Sequence, residues 1–229
     1  MEKIRIKELI EFKRKSTDKS KKNYAFNLKN RKITEKKKED KNTGGNYWVQ
    51  SISCIQNVFK FDDTKYYDIK IKDVASKIEG SENERTKNRY VQNLKILSSF
   101  KDFDLLDLRP SQKINFETVH KSSKIIEIDG LPIYLNPNLI FSFDKNGKKE
   151  LGALFLVPQK DGYKKSELGV FCDILYKFLI KNYAQDFQIS PEYCIAIDTF
   201  DAQKVSYREL LNGEVPFLLE SILLDIKNL

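Results

Sequence analysis

Residues 150–157 read ELGALFLV and residues 193–197 read YCIAI. Neither run shows the apolar–polar alternation of a half-solvated strand. A strand that is apolar on both faces has to be covered twice, so the first run is expected at the centre of a sheet with structure packed above and below it. Upstream, LIFSF (139–143) joins it through DKNGKK, and KIIEI (124–128) joins LPIYL (131–135) through Asp129-Gly130. Asn-Gly and Asp-Gly between apolar runs signal tight hairpins, because both residue types accept positive φ. Residues 122–157 are therefore expected to form a four-strand antiparallel meander. Downstream, SELGVFCDILYKFLIKNY (166–183) places Leu168, Phe171, Leu175, Phe178 and Leu179 at helical spacing. YCIAI is followed by a short return strand, KVSY, and by a terminal helix with Pro216 near its start.

On the N-terminal side, residues 81–100 carry a helical stripe of Tyr90, Leu94 and Leu97, with Ser81 and Glu84 spaced as a capping box and Pro110 as a stop. Residues 64–80 mix helix and loop signals. Trp48, the only tryptophan, follows Gly44-Gly45 and is expected to plug the edge of a core. This order defines an α+β fold over residues 47–229. It comprises an antiparallel four-strand meander with flanking helices and a further strand pair. Residues 1–41 are expected to form a basic helical arm, with a polar linker to about residue 46. Its helix at 4–15 carries Ile6, Leu9 and Ile10 on one face.

The charge is unevenly placed. Residues 1–41 contain 16 Lys/Arg and 7 Asp/Glu, a net +9, and the other residues contain 25 and 26, a net −1. Such an asymmetry suits a segment that meets nucleic acid or another polyanion, and a solvated Lys-rich face has the same composition. The candidate contacts are Lys13, Arg14, Lys15, Lys21, Lys22, Lys29, Arg31 and Lys32, with Tyr24 among them. An aromatic ring between cations can stack on a base, or it can anchor the helix to the body.

Several classes are excluded. Cys54, Cys172 and Cys194 are far apart with no CxxC pair, which argues against a disulfide framework or zinc site and for reduced thiols in the cytoplasm. No apolar run approaches the roughly 18 residues of a membrane span, so no membrane partner is expected, and the first 15 residues lack the apolar stretch of a signal peptide. The P-loop, GxGxxG and GxSxG motifs are absent. His120, the single histidine, lies in a polar stretch and reads as a surface residue. What is left for catalysis is a carboxylate set suited to magnesium. Asp144 and Glu150 flank the central hairpin, and Asp198 ends a buried strand. Glu167 reads as a cap partner at a helix start.

The element order over residues 81–207 resembles the PD-(D/E)XK nuclease superfamily. That resemblance implies an Asp on the second core strand and a Glu-x-Lys on the third, together holding a divalent metal that activates water. Here Asn138 precedes LIFSF, Asp144 lies at its far end, no lysine stands two residues after Glu150, and Lys160 falls beyond Pro158. The likeness is one of layout, and it implies an inactive or rebuilt site. The phrases GGNYWVQSIS, ELGALFLVPQKDGYKKSELGVF and SPEYCIAID also resemble an uncharacterised family of bacterial proteins, which implies a shared fold and no mechanism. Three functional expectations follow. The first is a nucleic-acid-associated, degenerate nuclease-like binding module of a mobile-element or phage-defence system. The second is an active magnesium-dependent nuclease with rearranged carboxylates. The third is an adaptor whose basic arm binds an acidic protein partner.

Overall fold

Strand β6 (Lys148–Val157) is the middle member of a five-stranded sheet. The order is β2 (Ile114–Glu117), β5 (Leu139–Lys145), β6, β7 (Gln188–Asp198) and β8 (Lys204–Ser206). The computed structural model describes residues 2–31, 47–119, 124–160 and 162–229. Lys32, the remainder of the linker to residue 46, and His120 lie outside them.

Alternation along the strands sends apolar side chains to both faces. Leu151, Ala153 and Val157 of β6 join Cys194 and Ala196 of β7 on one face, while Leu154 and Leu156 join Ile195 and Ile197 on the other. The first face is covered by α6 (Lys165–Tyr183), α1 (Ile6–Lys13), the short α7 (Tyr207–Leu211) and α8 (Leu219–Asn228). The second is covered by α3 (Val49–Phe61), α4 (Lys65–Glu79) and α5 (Glu84–Lys101). The chain is α+β, as its sequence implies, and β6 lies at the centre of its sheet. β5 and β6 pair antiparallel, whereas β6 and β7 pair parallel. A parallel step needs a crossover, and α6 supplies it.

The expected four-strand meander is split between two sheets. β3 (Ile125–Ile128) and β4 (Leu131–Tyr134) form the Asp129-Gly130 hairpin, with φ of 50° and 75° at the turn. β4 does not continue into β5. Its other edge pairs in parallel with β1 (Ile4–Arg5), giving a three-stranded sheet of order β1, β4, β3. Pro137 lies between β4 and β5 and has no N–H to donate. Asn138 then starts a new direction: its amide donates to Leu154 O (3.0 Å) and its Oδ1 accepts from Leu156 N (2.7 Å). β5 pairs instead with β2.

The N-terminal segment is also placed differently from the arm the sequence implies. Ile4, Ile6, Leu9, Ile10 and Phe12 are all buried in the same cluster as α6. Burying each such side chain stabilises by about 1.5–3 kcal/mol, against about 0–1 kcal/mol for a surface charge pair. The apolar stripe therefore decides where the segment lies, and its basic residues follow. Thr17 caps α2 (Asp18–Asn30), its Oγ1 accepting from Ser20 N at 3.2 Å. Residues 65–79 form the helix α4 within the region whose signals were mixed. The cap of α5 is Asn83, not Ser81; its Oδ1 accepts from Thr86 N at 3.0 Å. Among the described residues, no helix is long and apolar enough to cross a membrane.

Pro191 is accommodated in β7 because the β6–β7 register shifts there. Leu151 pairs with Ile189 and Ala153 with Cys194, so residues 190–193 bulge opposite Gly152. A Cβ at Gly152 would lie 2.6 Å from Tyr193 Cβ and 2.7 Å from Tyr193 O. Gly152→Ala is expected to destabilise the protein by about 1–3 kcal/mol, read as a lower denaturant midpoint. An unchanged midpoint would contradict this register.

Candidate functional site

The three candidate carboxylates are not gathered. Glu150 pairs with Phe143 and with Gln188, and Asp144 pairs with Lys149, so both lie at one end of the sheet. Asp144 follows Phe143 along β5, which turns its side chain to the face opposite Glu150. Asp198 pairs with Val157, seven residues along β6 from Glu150. At about 3.3 Å per residue that is about 23 Å. A site uniting the three is therefore ruled out by the pairing register. Among the described residues, no three His, Cys, Asp or Glu side chains are grouped to hold a metal.

Asp198 is fully buried and spent on backbone. Its Oδ2 accepts from Tyr163 N at 2.5 Å and its Oδ1 from Phe200 N at 2.8 Å. Burial raises its carboxyl above the usual range, against the pull of those amides. The bonds tie the segment after β6 to the turn after β7. A second tie comes from α1. Arg14 Nε and Nη2 donate to Glu167 Oε1 and Oε2 at 2.7 and 2.6 Å, and Nη2 also donates to Gly162 O at 3.2 Å. Burial pulls the Glu167 carboxyl upward, but the Arg14 guanidinium, the Lys164 amide and the charge of Lys13 outweigh it and hold it below its usual value. Gly162 has φ +67°, and a Cβ there would lie 2.6 Å from Asp201 Oδ2. The GYKKSELG and YCIAID phrases thus have a local explanation: they build and pin this loop.

The pinned loop forms one wall of a groove at the C-terminal ends of β6 and β7, the place where parallel strands open into crevices. A cavity of about 520 Å³ lies there. Its back is aromatic: Phe155 meets Phe171 edge to face at 5.6 Å, and Phe171 meets Tyr163 at 5.1 Å. Burial pushes the Tyr163 hydroxyl up to about 12. Arg5 and Lys7 enter from the N-terminal segment, Tyr134 from β4, Lys160 from the loop and Trp48 from the start of α3. A second cavity of about 390 Å³ adjoins it and shares Trp48 and Lys160, with Asn88 and Gln92 of α5 on its far side. Among the described residues, no carboxylate lines either cavity.

Trp48 is held in place from below. Its ring meets Tyr47 at 4.4 Å and Phe200 at 5.2 Å, both edge to face. The corner backbone hangs on Asn93, which is fully buried. Asn93 Nδ2 donates to Tyr47 O and Arg89 O, both at 2.8 Å, and its Oδ1 accepts from Ser51 N (3.0 Å) and Ser51 Oγ (2.9 Å). Sequence reasoning did not find Asn93; its position one residue before Leu94, in the apolar stripe of α5, was the signal.

The basic candidates divide. Arg14 is engaged by Glu167. Arg31 is paired with Glu8 (2.6 Å) and Glu2 (3.2 Å) and donates to Lys3 O, so both guanidinium groups serve the fold. Tyr24 donates its hydroxyl to Glu11 at 2.7 Å and packs on the core cluster, the anchoring alternative. Lys15 lies over the Tyr24 ring at 5.1 Å, and Lys29 Nζ lies 3.4 Å from Lys227 O. Burial and Lys164 pull Lys13 below its usual value despite Glu167. Lys21 and Lys22 are at the surface of α2. The cations lining the groove are instead Arg5, Lys7 and Lys160, none of which stood among the expected contacts.

Compared with models of protein families, with curated proteins and with solved structures, the chain matches none.

Replacing Arg14 by Ala leaves a nearly buried carboxylate without its guanidinium. The expected loss is about 2 kcal/mol near neutral pH, moderated because the arginine is 40% exposed. Glu167 has a lowered value in the folded state, so its contribution is present above the unfolded value near 4.5 and is lost as pH falls through the folded value. The gap between parent and variant in urea midpoint should narrow from about pH 7 to about pH 3.5. A constant gap would contradict the ion pair as its origin.

Proposed function

We propose that the protein is a nucleic-acid-binding module whose contact surface is the groove at the ends of β6 and β7. One observation carries the reading: Arg5, Lys7 and Lys160 share a groove with Trp48, Tyr134 and Phe155, and among the described residues no carboxylate lines it. Cations that hold phosphates beside rings that accept bases are the two elements of sequence-tolerant nucleic-acid binding. The confined positive charge of residues 1–41 adds a long-range attraction. Catalysis is not part of the proposal, because Asp144, Glu150 and Asp198 do not meet. The nuclease-like layout, with its mobile-element or phage-defence setting, enters only as a scaffold for binding.

Full-length protein is expected to bind labelled single-stranded DNA or RNA with an affinity that falls steeply with salt. Replacing Arg5, Lys7 and Lys160 together by Ala should weaken binding at least about tenfold and flatten the log–log salt slope by about 2. The same change at Lys19, Lys21 and Lys22 should cost less. Equal binding by the groove variant and the parent would overturn the assignment.

A further inference from the structure

We infer that the groove selects an unpaired nucleotide, seating one base in the larger cavity and the next across Trp48, with the intervening phosphate at Lys160. This rests on the nucleic-acid reading above and specifies its substrate as single-stranded. The two cavities share two residues, Trp48 and Lys160. A ring and a cation at the junction of two chambers match the repeat of a single strand, in which bases alternate with phosphates. A cavity of about 520 Å³ falls within the range of small-ligand sites, about 300–1,000 Å³, which is room for one nucleotide.

The walls specify a base face and a base edge. Tyr134 and Phe155 line the larger chamber. In a duplex both faces of a base are covered by its neighbours, so such a wall is reached only by a base that has left the stack. Side-chain amides, which both donate and accept, suit the mixed edge of a base. Asn136 and Gln159 line the larger chamber, and Asn88 and Gln92, one helical turn apart, line the smaller one. The junction is preorganised. Asn93, fully buried and bonded on both sides of its amide, fixes the Tyr47–Trp48 corner, and Asp198 with Arg14 fixes the backbone at Gly162 and Tyr163. Rigid support of this kind lowers the ordering cost of binding.

Because Trp48 is the only tryptophan, its emission reports on the junction directly. Full-length protein would be titrated at one salt concentration with a single-stranded oligonucleotide, its duplex, and a strand of equal length built of abasic sites. The single strand is expected to change Trp48 emission and to bind at least about tenfold more tightly than either the duplex or the abasic strand. Tyr134→Leu, which keeps the reporter, should lose most of that preference while retaining the salt slope. If single strand, duplex and abasic strand bind alike and emission is unchanged, the selectivity is overturned and the nucleic-acid reading stands. If Tyr134→Leu keeps the full preference, the base is not seated in the larger chamber and the inference also fails. Absence of binding by all three ligands at low salt would overturn both.

Discussion

A strand buried on both faces cannot stand at the boundary of a fold, and β6 is such a strand. Its double burial requires two layers, and the chain supplies them from opposite directions in sequence: α3–α5 before β6 and α6 after it. The same demand brings in the N-terminal segment. Ile4, Leu9 and Phe12 close the cluster over α6, and Ile4 and Arg5 complete a small sheet by pairing with β4. The groove is a by-product of this arrangement. Where β6 and β7 end side by side, α1, the start of α3 and the following loop converge from both layers without closing over the strand ends.

Polar anchors make that open end rigid. Arg14, Asp198 and Asn93 each hold backbone on one side of the groove, and each is placed by a different layer. The two carboxylates in these ties, Glu167 and Asp198, respond to acid in opposite ways. Glu167, lowered in the fold, stabilises above the usual carboxylate range. Asp198, raised chiefly by burial, favours the fold more as pH falls. Acid therefore loosens the Arg14 tie while leaving the Asp198 position easier to bury.

Much of the fold is written locally. The apolar runs at 150–157 and 193–197 announce their burial, and Asp129-Gly130 and Asn146-Gly147 take the positive φ values that tight hairpins need. Both hairpins form. Which hairpin joins which sheet is not local: the partner of β4 lies at residues 4–5, and a two-residue strand leaves no periodic signal. The basic arm was misplaced for a related reason. Charge counting weighs every lysine, whereas the buried apolar residues among them, Ile4, Ile6, Leu9, Ile10, Phe12, Ala25 and Leu28, set its position. The site was less legible still. Asp198 ends a buried strand near the groove, but its carboxylate faces backbone amides. Trp48 was read as a core plug; it packs on the second-face cluster and lines both cavities as well. Lys160, Arg5 and Asn93 are ordinary in sequence and acquire meaning only when distant elements meet.

In the proposed binding mode, the positive charge of the N-terminal segment and the aromatic groove are separable sources of affinity, with the specific contact in the groove. Photo-crosslinking a single strand carrying 5-bromouracil to the full-length protein, followed by peptide mapping, asks which surface touches the bases. Crosslinks at Tyr47–Trp48 and in residues 155–163 are the expected result. Crosslinks confined to residues 13–31, with none in the groove, would contradict the account and return the binding surface to the basic helices.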